Sequence, residues 1–319
     1  MAFDWSATAF VFPGQGSQVV GMGSDLVATY EVAKAVYEQA DQIMGFSLSD
    51  VILNGPEERL NETAITQPAV FVTSIALVRT LQSLLPEIKP AAVAGHSLGE
   101  LTALVAAGAL DFADALKLVK ERGRLMGMAG DENPGAMSAI LGMDADAIIQ
   151  LCEQVTSELG KVVVLANDNC PGQIVVSGDP VALDALNQRA TESGAKRVIP
   201  LAVSVATHSP LMQPAQTEFK HHLAATPFNV PNIPVYANLS ANPLTSLEAI
   251  DQELEGQLTG AVQWTRSIQN MIEAGIQTFV EVGPQSVLTG LIRRIDKSVT
   301  RINVSDVASL QAFVATVSE

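Results

Sequence analysis

A short apolar, β-prone run, Ala91 to Ala94, ends in Gly95-His96-Ser97-Leu98-Gly99, and a helical pattern starts at Leu98. Strand, glycine turn and helix in immediate succession is the context of a G-x-S-x-G nucleophile elbow. The two glycines leave room for a strained turn that lifts the Ser97 hydroxyl clear of the sheet. The helix N-terminus then offers donors and positive potential to a developing oxyanion. The plainer reading of the same residues is a glycine-rich turn with an N-cap serine.

Around this turn the pattern predicts α/β architecture. Thr8 to Phe12 reads as a buried strand entering the loop Pro13-Gly14-Gln15-Gly16. Helices follow over Leu26 to Met44 and Ala69 to Leu85, the second bounded by Pro68 and Pro86. Strand, helices, strand and helix in that order imply a parallel sheet covered on both faces. Residues 135 to 201 differ: strand (Ala136 to Leu141), helix (Ala145 to Leu159), strand (Val162 to Ala166), strand (Ile174 to Ser177), helix (Val181 to Ser193), strand (Lys196 to Leu201), which is the ferredoxin-like βαββαβ order. The α/β pattern resumes with helices at Leu211 to Ala225, Glu248 to Leu258 and Arg266 to Ala274, a strand at Thr278 to Val282, and a helix at Val287 to Ile295. The expected fold is an α/β-hydrolase-like large domain with a parallel sheet (1–132 and 204–319) carrying an inserted ferredoxin-like subdomain (133–203).

Composition narrows the function. The formal charge of −16 disfavours nucleic acid and anionic lipid as partners. Cys152 and Cys170, the two cysteines, form no C-x-x-C pair, which fits a reducing compartment and argues against a thiolate metal site. The first ten residues hold Asp4 and no Lys or Arg, so a basic leader is not indicated and the cytosol is expected. Apolar stretches such as Ala103 to Leu110 fall short of the roughly 20 residues that cross a bilayer.

A serine nucleophile needs a base, and the chain has four histidines. His96 adjoins Ser97, where neighbouring side chains diverge. His221 and His222 lie in an amphipathic helix as a solvated pair. His208, just before a helix, remains as base or as a loop histidine capping that helix. The loop Phe12 to Gln18 lacks the third glycine of a dinucleotide fingerprint, having Val19 there. It can instead bring the Gln15 backbone N–H to a substrate oxygen. Spacing alone reads Arg122, within Lys117 to Arg124, as part of a solvated basic stripe. If buried beside the serine, its guanidinium fork would select acyl groups bearing a free acid.

Phe12 to Gln18, Gly95 to Glu100, Arg122-Gly123, the Asn167 to Gln173 loop, Val203 to Met212, Gln257-Leu258 with Val262-Gln263-Trp264, and Glu281-Val-Gly-Pro284 together resemble the malonyl-CoA:acyl carrier protein transacylase family, over nearly the whole chain. The resemblance implies a ping-pong enzyme that carries malonyl from coenzyme A on Ser97 to the phosphopantetheine thiol of acyl carrier protein. It implies His208 as base, the Gln257 main-chain carbonyl as its orienting group, and the backbone N–H groups of Gln15 and Leu98 as oxyanion hole. Arg122 becomes the malonate clamp, and Gln257, His96 and Asn167 join the substrate-binding residues. No cofactor is implied, and a monomer is expected. Since the carrier is acidic, docking calls for a local basic patch, with Lys117, Lys120, Arg124, Lys196, Arg197, Arg293, Arg294 and Lys297 as candidates.

Two other readings stay open at this level. A serine hydrolase would need a triad acid such as Asp168, Asp179 or Asp184, and an acyl-thioester hydrolase could use the same scaffold with water as acceptor. A non-catalytic subunit could keep the fold only to bind acyl carriers. Fatty acid and polyketide pathways are not distinguished.

Overall fold

The computed structural model describes residues 3–318. Ten strands form two sheets: β1 (Thr8–Phe12), β2 (Ala92–Gly95), β3 (Ala136–Leu141), β4 (Val163–Cys170), β5 (Gln173–Gly178), β6 (Arg197–Pro200), β7 (Val235–Tyr236), β8 (Pro243–Leu244), β9 (Thr278–Val282) and β10 (Thr300–Val304). The larger sheet runs β10-β9-β1-β2-β7-β8 and the smaller β4-β5-β3-β6. β1 and β2 are buried along their whole length, which is why their sequences are continuous apolar runs rather than alternating ones.

Strands β10 to β7 of the larger sheet are parallel. The expected all-parallel sheet is corrected at one edge, where β8 folds back antiparallel on β7. The smaller sheet is antiparallel throughout. With helices Ala145–Leu159 and Pro180–Glu192 it closes a core of its own around Ile140, Ile148, Val163 and Leu186. It is stitched to the rest through β4, where the Val262 N–H donates to Ala166 and Val262 O accepts from Asp168.

Three helices depart from the sequence expectation. The segment expected as one helix from Leu26 to Met44 is broken at Tyr30, whose extended backbone separates Ser24–Thr29 from Glu31–Met44. The helix expected to begin after Pro68 runs Thr63–Leu84 and contains that proline. Pro68 is the sixth residue of that helix and forgoes the i→i−4 bond to the carbonyl of Ala64, a loss that the helix's extensive burial outweighs. This 22-residue helix is long and apolar enough to cross a membrane, but 89% of its most apolar window is buried within the fold. Its apolar character is that of a core helix, packed on helix Phe112–Glu132 through the stacked rings of Phe71 and Phe112. The third departure is helix Leu247–Leu254, which stops before Gln257.

Because parallel strands share one direction, their C-terminal ends share one edge. The loop after β1, the turn after β2 and the segment after β7 therefore lie side by side, tied by the His96 N–H to Phe12 O bond (3.0 Å). Such an edge is where sites form on open α/β sheets. Near the end of β9, the fully buried Glu281 accepts from the N–H groups of Leu288 (2.9 Å) and Thr289 (2.7 Å). It thereby caps helix Val287–Ile295, whose Val287, Leu288 and Leu291 face a cavity. Glu281→Ala should strand two donors and lower unfolding stability by about 2–6 kcal/mol, at roughly 1–3 kcal/mol per stranded group. Chemical denaturation of the two proteins measures this, and an unchanged midpoint would show the cap to be dispensable.

Candidate active site

The turn after β2 is built by close packing. A Cβ on Gly95 would lie 1.9 Å from the Gly99 carbonyl carbon, so only glycine lets the strand pass so near the following helix. Between them Ser97 takes φ +51°, the left-handed conformation that costs a non-glycine residue free energy. Asn238, just after β7, holds the turn from outside. Its Oδ1 accepts from the Ser97 N–H (2.7 Å) and its Nδ2 donates to Gly95 O (2.7 Å). The Gly14 loop presses on the same turn, with a hypothetical Cβ there only 2.4 Å from His96 O.

His208, also left-handed at φ +58°, meets Ser97 from the segment that follows β6. Its Nε2 is 2.8 Å from Ser97 Oγ, and its Nδ1 faces the main-chain oxygens of Gln257 (2.9 Å) and Gly260 (3.1 Å). Both oxygens only accept, so Nδ1 carries the hydrogen and Nε2 presents a lone pair to the serine. The early end of helix Leu247–Leu254 makes this possible, because it leaves the Gln257 carbonyl outside the helical ladder. Burial, with the charge of Arg122 and then His96 beside it, pushes His208 down to about 3, so it is a neutral base at physiological pH.

Arg122 is only 1% exposed and so does not belong to a solvated stripe. Its Nη1 donates to Gln67 Oε1 (2.7 Å), its Nε and Nη2 to Gln257 Oε1 (3.2 and 2.9 Å), and its Nη2 also to Ser97 Oγ (3.1 Å). Those bonds leave one N–H of the fork free. Burial lowers its pKa to about 10, and it stays charged.

A cavity of about 600 Å³ opens over these groups. Gln15, Leu98, His96, Asn167, Ser97, His208 and Arg122 all line it, with Met126, Met137, Val203 and Val205 as its apolar wall. Among the described residues the N–H groups of Gln15 and Leu98 donate to no protein acceptor, which leaves both available to a substrate oxygen. His96 Nε2 pairs with Asn169 Oδ1 (2.7 Å), and its ring meets Trp264 edge-on. Gln257, expected among the substrate-binding residues, does not line the cavity; it stands behind Arg122 and His208. Sequence reasoning missed Gln67, Asn169 and Asn238. For Asn238 one signal existed: a polar residue at the C-terminal end of a strand.

None of the acids considered for a triad reaches the histidine. Asp168 accepts from Thr265 Oγ1 (2.6 Å), and Asp179 caps helix Pro180–Glu192 and pairs with Lys161. Of the basic candidates, Lys117 and Arg124 are paired with Asp114 and Glu121. Arg294 reaches across to Gln173 and Gly172, and Lys196 packs over Gly142, whose N–H donates to Gly172.

The family model for the acyl transferase domain matches residues 9–312. The chain is 43% identical over 314 residues to the malonyl CoA-acyl carrier protein transacylase of Bacillus subtilis, covering 98% of each. It is 44% identical over 304 residues to that of Haemophilus influenzae, covering 95% of this chain and 97% of the relative. Among solved structures it resembles an acyl carrier protein S-malonyltransferase from Vibrio cholerae (TM-score 0.92, 43% identity, 97% and 100% covered). It also resembles a malonyl-transacylase solved in complex with a type II polyketide synthase acyl-carrier protein (TM-score 0.93, 40% identity, 98% and 100% covered).

The depressed His208 predicts acid sensitivity. Below its ordinary value of 6.5 the unfolded chain binds a proton that the folded site refuses down to about 3, so this group withdraws stability as pH falls through that window. The stability advantage of the wild type over His208→Gln should shrink by up to ~1.4 kcal/mol per pH unit below 6.5. Paired denaturation curves from pH 7 to 5 measure it, and a constant difference would show His208 to titrate normally.

Proposed function

Since this chain belongs to the acyl transferase family, we infer that it transfers a malonyl group from coenzyme A to the phosphopantetheine thiol of acyl carrier protein, supplying units for fatty acid synthesis. The observation that carries the reading is the single row Gln257 O–His208–Ser97 with the Arg122 guanidinium on the same serine oxygen.

Ser97 Oγ attacks the thioester carbonyl as its proton passes to His208 Nε2. The N–H groups of Gln15 and Leu98 receive the oxyanion, each such donor being worth about 10² to 10³ in rate. Collapse breaks the carbon–sulfur bond, and the departing thiolate takes the proton from His208. The free acid of the malonyl ester is held bidentately by the Arg122 fork, through its free N–H and the Nη2 N–H that leaves Ser97 Oγ as that oxygen is acylated. The carrier thiol then gives its proton to His208 and attacks the ester. The second collapse returns that proton to Ser97.

Among the described residues no carboxylate stands behind the histidine. Two main-chain dipoles orient it, and a neutral, well-oriented imidazole is what a thiol acceptor near neutral pH requires. The large unit is proposed as α/β-hydrolase-like, and the strand order of the small one supports a ferredoxin-like subdomain over 133–203. Lys196 and Arg294, which flank the Gly142–Gly172 corner beside cavity residue Gln173, are proposed to meet the acidic carrier. The same proposal has a cytosolic monomer acting away from membrane and nucleic acid. It invokes no metal or prosthetic group, since every step runs on groups of the chain and its two thioester partners.

Brief mixing with malonyl-CoA should add one malonyl mass at Ser97 in the intact-protein spectrum. The adduct should vanish as malonyl-carrier appears once phosphopantetheinylated carrier is added. Decay at the same rate without carrier would mean hydrolysis instead, and no adduct would mean a binding protein. Arg122→Ala should erase a 10- to 150-fold preference for malonyl over acetyl, the equivalent of a roughly 1.5–3 kcal/mol charge-assisted pair. Competition between the two thioesters reads it, and an unaltered preference removes the clamp.

A further inference from the structure

The chemistry proposed above makes no use of Glu100, although this carboxyl is fully buried on helix Gly99–Ala106. It does not line the cavity and touches none of the reacting groups. Both of its oxygens are nonetheless engaged. Oε1 accepts from the Asn238 N–H (2.9 Å), and Oε2 accepts from the side-chain amide of Gln257. The same Gln257 NH₂ also donates to Ser97 O (3.1 Å), while its Oε1 receives Arg122.

A glutamine amide has nearly the same shape when turned end over end, so its surroundings must choose the orientation. Here an acceptor faces one end and the guanidinium, which only donates, faces the other. We propose that Glu100 is a positioning residue for acyl selection, fixing the Gln257 amide so that its oxygen is presented to Arg122 and the guanidinium is aimed at the substrate carboxylate. The inference rests on the reading of Arg122 as the carboxylate clamp.

A second buried carboxyl lies nearby. Glu253, from helix Leu247–Leu254, accepts from the Leu239 N–H (2.7 Å). Burial raises both acids, and the nearby Glu253 raises Glu100 further. Glu100 in turn supports the charge on Arg122.

Replacing Glu100 by Gln turns one acceptor into a donor. Whichever way the new amide lies, it opposes either the Asn238 N–H or the Gln257 NH₂. Relief by turning Gln257 over would set NH₂ against the guanidinium. Gln257→Met removes the amide and leaves the main-chain carbonyl for His208. Steady-state kinetics with malonyl-CoA and with acetyl-CoA should be measured for wild type, E100Q, Q257M, E100Q/Q257M and R122A.

Glu100→Gln should raise KM for malonyl-CoA about 10-fold and change kcat/KM for acetyl-CoA less than about 2-fold, the latter also reporting an intact fold and dyad. If Glu100 acts through Gln257, the double variant loses no more malonyl preference than Q257M alone. Additive losses, or an unchanged malonyl-to-acetyl ratio in E100Q while R122A lowers it, overturn the inference. An unchanged ratio in R122A overturns the clamp reading and this inference with it. Should E100Q fail to fold, Q257M carries the same expectation of lost malonyl preference, and its retention is equally fatal.

Discussion

Arg122 carries a full charge with almost none of its surface in water, and such a charge is tolerated only when its donors are met. Its partners come from places far apart in the chain. Gln67 lies near the start of the long core helix, Gln257 in the turn after helix Leu247–Leu254, and Ser97 at the elbow. Satisfying the guanidinium therefore draws three elements to one point. The same charge helps keep His208 neutral, so one buried cation serves both parts of the proposed mechanism, the anchoring of an anionic acyl group and an unprotonated base beside it.

What the sequence made legible was whatever is encoded locally. The elbow is a matter of glycine spacing over five residues, and the βαββαβ run shows itself in alternating periods. His208 was reached by elimination among four histidines. Arg122 was not legible from spacing, because its neighbours in sequence are charged and its true partners are contributed by other elements. Asn238 and Gln67 are single polar residues whose importance exists only once the strands are ordered and the helices crossed. The break at Tyr30 has no proline or glycine to announce it, and Pro68 announces a boundary that lies five residues earlier. Gln257 was known only by resemblance. The reason its carbonyl is free, the early stop of a helix, belongs to tertiary structure.

The cavity depends on both sheets. Ser97, Gln15 and Leu98 come from the parallel edge, whereas Met137, Asn167, Asn169 and Val175 come from strands of the antiparallel sheet. The reacting oxygen is thus set by one unit and the far wall by the other. The stitch of β4 to Val262 and the reach of Arg294 to Gln173 hold the two in register.

Ser97 and His208 share an unusual property: both halves of the dyad sit at positive φ, where glycine alone would rest without strain. The backbone is therefore strained at the two positions on which the proposed reaction depends. Glycine at either position would relieve that strain but give up the hydrogen bonds the side chain makes there. Serine and histidine at these positions thus mark a standing tension between folding and turnover, written into two backbone angles.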